Sequence, residues 1–260
     1  MTAAIRPRVR PLAALAVGLL TVTGCAALGL ERPPTAHQPL PTIDSPSPTA
    51  KASARSDGST LTDDQARAAL ITETDLGTPW SATRGAATWR DGLLKATTTA
   101  GECQRLLDAL YADELLGAPA RVAVGLDDAD TDAQLRYQIG ARRPSDVDAA
   151  LAWLRTMPAQ CAEFTATTEN GLVEDVRVVE APLPEVGDVR QGLRLAFATT
   201  TSDDEQFVLT MDVAAVRVGE DAFALTNAGL GDVPNDATQL AVQIGALRLA
   251  DVRKQGRALV

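Results

Sequence analysis

Histidine is almost missing from this chain: His37 is the only one in 260 residues. That scarcity removes histidine-rich metal sites and nearly all catalysis that needs an imidazole base. No apolar run reaches the roughly 20 residues that a membrane-crossing helix requires, so a channel or multi-span protein is excluded. Basic residues are in short supply too, with 24 Lys and Arg against 34 Asp and Glu and a formal charge of −10. Phosphate backbones are bound through Lys and Arg, so DNA and RNA are not expected partners. Cysteine occurs three times, as Cys25, Cys103 and Cys161, with no Cys-x-x-Cys spacing.

What is present begins with an export signal. Arg6, Arg8 and Arg10 precede the apolar run Leu12 to Val22 with no acid among them. A run of this length is too short to span a hydrocarbon core of roughly 30 Å at about 1.5 Å per residue, and reads as a signal peptide. It ends in Val22-Thr23-Gly24-Cys25, which resembles the bacterial lipobox, where small residues precede a cysteine that carries diacylglycerol. Cys25 is therefore the expected lipidation site. Two acyl chains suffice for stable anchoring at about 0.8 kcal/mol per buried methylene. Cleavage after Gly24 removes three arginines and shifts the formal charge from −10 to −13. Such a surface is repelled by anionic headgroups, so attachment has to come from the lipid.

From Ala26 to Ser59 the chain holds Pro33, Pro34, Pro39, Pro41, Pro46 and Pro48 among Ser, Thr and Ala, without an aromatic residue. This composition cannot form a core and reads as a spacer, reaching at most about 100 Å as polyproline II. His37 lies in it and is read as a solvated bystander, since nothing holds a partner near it. All aromatics follow, and hydrophobic periodicity starts at Leu61. Thr62 and Gln65 form a capping box for a helix that continues through Ala66, Ala69 and Leu70 until Gly77 and Pro79. Cys103 to Leu110 is a second helix. Arg121 to Leu126 and Thr131 to Arg142 form a hairpin in which Leu135, Tyr137 and Ile139 alternate with Gln134, Arg136 and Gln138, which predicts one wet face.

Ser145 is expected to cap a third helix with Val147, Leu151 and Leu154 on its buried stripe. Strands are expected at Val173 to Val179, Leu193 to Thr199, Phe207 to Val216 and Ala222 to Asn227. The chain closes on a helix from Asp236 to Arg253 with Leu240, Ile244 and Leu247 at i, i+4 and i+7. Helices do not alternate one for one with strands, so the fold class is α+β with a mainly antiparallel sheet flanked by helices in a single domain. Once Cys25 is lipidated, Cys103 and Cys161 are the only thiols left in an oxidising compartment and are expected to pair; two buried free thiols are the alternative.

In order, the chain shows the Cys25 motif, the proline-rich tether, a capped helix ending DLGTPW, Cys103 three residues before Leu106, the QLRYQIGAR strand, a helix leading to Cys161, then VRVGEDAFAL and a final helix. This order resembles the actinobacterial sensor-domain lipoproteins related to the extracellular domain of PknH-type receptor kinases, over most of residues 61 to 255. The resemblance implies an antiparallel sheet backed by helices, with a cleft for an unidentified ligand. The kinase ectodomain has a second disulfide, for which this chain lacks the cysteines.

Several candidate sites are weighed on their residues. Asp127, Asp128, Asp130 and Asp132 begin like a calcium loop, but its glycine and its bidentate glutamate positions hold Ala133 and Ile139. A solvated hairpin tip is the expected reading, with a weak calcium site as the alternative. Asn227 to Pro234 (NAGLGDVP) lacks the Gly-Lys-Ser/Thr ending of a phosphate loop and is expected to be a loop before the last helix. Trp80, Trp89 and Trp153 are core or edge packing, with Trp80 or Trp89 facing a pocket as the alternative. No Gly-x-Ser-x-Gly and no spare thiol exist, and spacing selects no carboxylate pair.

The expected organisation is a lipoprotein signal peptide at 1–24, lipidated Cys25 and tether at 25–60, an α+β sensor or binding domain at 61–256 and a tail at 257–260. The expected function is a lipid-anchored, non-catalytic binding or sensing protein on the extracytoplasmic face of the membrane, with no cofactor, no metal and ligand-binding residues unassigned. Its partner is a small molecule or an envelope protein. A scaffold lipoprotein without a small-molecule pocket is the alternative, and an enzyme using paired carboxylates a third reading.

Overall fold

A computed structural model describes residues 61–258 apart from 86, 88 and 201–204, with the side chains of 257 and 258 also left aside. The expected signal peptide, the expected lipidation site Cys25, the expected tether and His37 lie outside the described residues. Among those described, no helix is long and apolar enough to cross a membrane.

The first elements are α1 (Asp63–Ala68), α2 (Glu73–Leu76) and β1 (Trp80–Ala82). A π-helical turn at Arg90–Leu94, β2 (Ala96–Thr97) and α3 (Gly101–Tyr111) follow, then the hairpin β3 (Val122–Asp128) and β4 (Gln134–Gly140). Next come α4 (Pro144–Gln160), β5 (Glu163–Thr168), β6 (Val173–Glu180) and β7 (Val189–Thr200). β8 (Gln206–Val218), β9 (Asp221–Leu230) and α5 (Asn235–Ala258) complete the order. All nine strands form one sheet in the order β1-β3-β4-β9-β8-β7-β6-β5-β2. Every pairing is antiparallel. The expected α+β class is what the structure shows. The two outermost strands are very short, which leaves little edge to recruit another chain.

Period-two alternation puts one apolar set on each face. Leu195 and Phe197 of β7 with Met211 and Val213 of β8 pack under α3 and α4, where Leu106, Leu107, Leu151 and Leu154 are buried. Tyr137 and Ile139 of β4 with Phe223 and Leu225 of β9 pack under α1 and α5 on the other face. Cys103 at the start of α3 and Cys161 just after α4 are joined, with Cα atoms 5.5 Å apart, so the disulfide ties together the two helices of the first face.

Four local expectations need correction. The helix from Thr62 does not reach Gly77. Its capping box is present, but it stops at Ala68, and a second start at Thr72, whose backbone N donates to Asp75 Oδ2 at 2.6 Å, opens α2. Ser145 does not cap α4. Arg143 is the N-cap and Pro144 sits in the first turn, where a fixed φ helps and a missing N–H costs nothing. Gln134 and Gln138 are buried, because flanking loops cover them: Gln134 Nε2 donates to Gly85 O and Asp127 Oδ1, and Arg136 pairs with Asp113 at 2.7 Å. Finally, Leu240 and Leu247 of α5 point outward, Leu247 with 60% of its surface exposed, while Ala241, Val242, Ala246 and Leu249 face the sheet.

The last correction has a steric cause. Small residues let α5 lie close to the sheet, and Gly245 sits directly over Tyr137: a Cβ added there would be 2.6 Å from the phenol oxygen. Tyr137 is fully buried, stacks on Phe223 at 5.0 Å between ring centroids, and its hydroxyl has no hydrogen-bond partner. Gly245→Ala, which in an open helix stabilises, is therefore expected to destabilise by about 1 to 3 kcal/mol through overpacking. Tyr137→Phe removes an unsatisfied hydroxyl and should be neutral or better. Combined with Gly245→Ala it should recover only part of the loss, because the ring carbon Cε2, 2.7 Å from the added Cβ, stays in place; the urea midpoints of the four proteins in the cycle read this.

Candidate functional site

At one end of the sheet, α2 and β1 stand on one side and the start of α5 on the other, forming a half-open cleft of about 400 Å³. Leu76, Pro79 and Trp80 line it from the α2–β1 side, and Val233, Pro234 and Leu240 from the α5 side. The ion pair between Arg248 of α5 and Asp75 of α2, at 2.6 Å, holds these two walls in place. Burial pushes the Asp75 carboxyl up, but hydrogen bonds from Arg248 and Thr72 outweigh it and keep the group below the usual carboxylate range.

Asn227 of β9 also lines the cavity and has only 1% of its surface exposed. Its Nδ2 donates to Thr238 Oγ1 at 3.2 Å, and Thr238 Oγ1 donates to Asp212 Oδ2 at 3.0 Å. Thr238 has one hydroxyl proton and gives it to the carboxylate, so it can only accept from Asn227. That fixes the amide orientation: nitrogen to Thr238, oxygen away from it. Asn227 Oδ1 has no partner.

Asp212, buried on the neighbouring strand, is what the relay ends on. Asn235 Nδ2 donates to its Oδ2 at 2.6 Å, and Arg194 Nη1 lies 3.3 Å from its Oδ1. Arg194 also donates to Asp232 and to the Val233 carbonyl, so the same guanidinium pins the loop before α5. These polar groups anchor the start of α5 to the middle of the sheet at the edge of the cavity.

The structure distributes the sequence candidates unevenly. Trp80 faces the cavity, whereas Trp89 packs against the α3–α4 core. Trp153 lies on α4 and donates to Glu102 at 2.9 Å, with Arg105 stacked 4.1 Å from its ring centre. The acidic run is the β3–β4 hairpin tip, with Asp128 Oδ1 accepting from the backbone of Asp130 and Thr131 and Asp132 in the left-handed region. No group of three or more potential metal ligands comes together among the described residues. Asn227 to Leu230 is not loop: it ends β9, and the loop is confined to the residues between Leu230 and Asn235. Asn227 is the site residue that sequence reading missed, and its only sign is an amide beside Thr226 in the mainly apolar run from Ala222 to Leu230.

No family model matches the chain, and no curated protein matches it. Among solved structures it is similar to the crystal structure of the extracellular domain of PknH from Mycobacterium tuberculosis, at 14% identity and a TM-score of 0.45, over 75% of this chain and 97% of that one.

Proposed function

We propose that the chain is an extracytoplasmic lipoprotein, held on the membrane through diacylated Cys25, whose domain binds a small ligand and carries out no chemistry. The observation that carries the reading is the cleft of about 400 Å³ between Trp80 and the start of α5. Its lining mixes apolar side chains with Thr78, Asp128, Thr131 and Asp236, and ligand sites of this size combine apolar walls with placed polar groups. A non-catalytic role is supported by the residue inventory. The one histidine is in the tether and both cysteines of the domain are consumed by the disulfide.

The test is a thermal-shift screen of the chain from Ala26 onward, which keeps the tether and every described residue. A ligand at about a hundred times its Kd stabilises by about 2.7 kcal/mol, raising Tm by about 5 to 10 °C in a domain of this size. That rise should vanish in Trp80→Ala. A ligand collection that moves neither protein, or moves both equally, refutes the cavity as the site. For the anchor, Cys25→Ala should release the protein from membranes while leaving its Tm unchanged, since the apolar clusters of the domain begin at Leu61. Retention of the alanine variant through a high-salt wash would contradict the lipid anchor.

A second reading, a scaffold that recognises another envelope protein, is favoured by the outward Leu247 of α5 and the exposed Val173, Val179 and Val208 on the sheet. It predicts a binding partner that is lost on Leu247→Glu and is indifferent to Trp80→Ala.

A further inference from the structure

The helices cover the sheet unequally on its α1–α5 face. The buried apolar strand residues packed beneath α1 and α5 come from β3, β4, β8 and β9, and none comes from β5, β6 or β7. β6 turns Glu174, Val176 and Val178 inward to the α3–α4 face, so Val173, Asp175, Arg177 and Val179 stand on the open one. Val173 keeps 57% of its surface exposed and Val179 45%. Beside this row, opposite Arg177 and Asp175 on β7, are the small residues Ala196 and Ala198. They line two hollows of about 460 and 500 Å³, which share Asp175 and Ala198 and so make one trough, with Val208 of β8 along its second half.

The charges on β6 are placed with a definite symmetry. Arg177 Nε and Nη2 both donate to Glu163 Oε1, at 3.0 and 2.7 Å, which leaves Nη1 free to donate outward. Asp175 has neither a hydrogen-bond nor an ion-pair partner among the described residues. The exposed row therefore reads apolar, acidic, basic, apolar. Reversed end for end it sets valine on valine and carboxylate on guanidinium.

From this row we infer that the open half of the sheet is a homodimer interface in which β6 of one protomer packs face to face, and antiparallel, on β6 of its partner. The twofold axis lies between the two sheets, across the strands and level with Val176. It sets Val173 against the partner's Val179, Asp175 against the partner's Arg177, and Ala196 against the partner's Ala198. An interface about a twofold must present one patch that complements itself, and this row does so in both hydrophobicity and charge. The alanines let the two sheets reach the separation of about 10 Å found in sheet-on-sheet packing. A foreign partner would require no such self-matching order. The formal charge of −13 left after signal cleavage opposes self-association at long range, but at 0.15 M salt charges more than about 8 Å apart are largely screened, and the paired groups act inside that distance.

Sedimentation equilibrium of the chain from Ala26 onward, at 0.15 M salt, should give an average mass that rises with concentration toward twice that of the monomer. Asp175→Arg and Arg177→Asp, each alone, should hold it at the monomer value, because each sets like charges face to face on both sides of the axis. Mixed in equal amounts, the two variants should dimerise again, since opposite charges then meet at both positions. Asp175→Arg combined with Arg177→Asp in one chain should dimerise as well. Ala198→Arg, which fills the trough, should abolish the dimer. All three positions are exposed, so every variant should keep the circular dichroism of the wild type. A wild type that stays monomeric at every concentration would overturn the proposal and leave the face to a different partner. A dimer that survives both single variants and Ala198→Arg lies on another surface and would overturn it too. Loss in both single variants with no recovery in the mixture would overturn the twofold register and the proposal with it.

Discussion

Replacing Cys103 and Cys161 together by alanine is expected to lower the unfolding free energy by about 2 to 5 kcal/mol, a large part of the 5 to 15 kcal/mol typical of a domain. The bond closes a loop with a sequence separation of 58, for which the chain-entropy model gives about 4 kcal/mol. Both sulfurs are buried where α3 and α4 meet the sheet, so the native packing on either side is retained when the bond is absent. The loss therefore falls mainly on the unfolded state, which gains freedom. Urea unfolding of the oxidised protein and the double alanine variant should show a lower midpoint, with a slope at least as steep because the uncrosslinked chain exposes more surface. Equal midpoints would mean that the crosslink contributes nothing and that α3 and α4 are held by packing alone.

The pairing of Cys103 with Cys161 was legible because it needed only a count of thiols and the reading of the first residues as an export signal. Much of the sheet was legible for a similar reason. In the segment Phe207 to Val216, Leu209, Met211 and Val213 alternate with Thr210 and Asp212, and β8 extends that segment by only a residue or two at each end. The short strands were not legible. β1 and β2 have three residues and two, too few for a period to register, and they exist because the long neighbours β3 and β5 offer free edges.

The face of α5 was misread for a different physical reason. Leucine and isoleucine at 240, 244 and 247 dominate any hydrophobic pattern, yet closeness to the sheet is set by the small residues Ala241, Gly245 and Ala246. Burial on this helix follows shape before hydrophobicity. The cavity was half legible. Trp80 was a candidate from its chemistry, but Asn227 becomes meaningful only when β9, β8 and the start of α5 bring it beside Thr238 and Asp212, residues 11 and 26 positions apart in the relay. Such a constellation has no spacing signature in one dimension.

Stability should fall as pH rises from about 4.5 to about 7, and the residue responsible is Glu174. It points into the α3–α4 face of the sheet between Ala166 of β5 and Thr199 of β7, with 0% of its surface exposed and neither carboxyl oxygen partnered. Burial alone raises its pKa from 4.5 to about 7. In the unfolded chain the proton leaves at the lower value and in the folded protein at the higher, so across that window the folded state holds more protons. At roughly 1.4 kcal/mol per pH unit the folded protein is about 3 kcal/mol less stable above pH 7 than below pH 4.5, other groups aside. Paired aspartates such as Asp75 slope the other way, but their stabilisation is already complete by about pH 5. Between pH 5 and pH 8 the domain has no histidine and no free thiol to confuse the reading. Urea midpoints of the wild type should therefore drop across that interval, while Glu174→Gln, which cannot ionise, should give a flat line that crosses above the wild type near neutrality. A wild-type profile as flat as that of the glutamine variant would mean that the carboxylate finds a partner on ionising, and that the pocket around residue 174 is not dry.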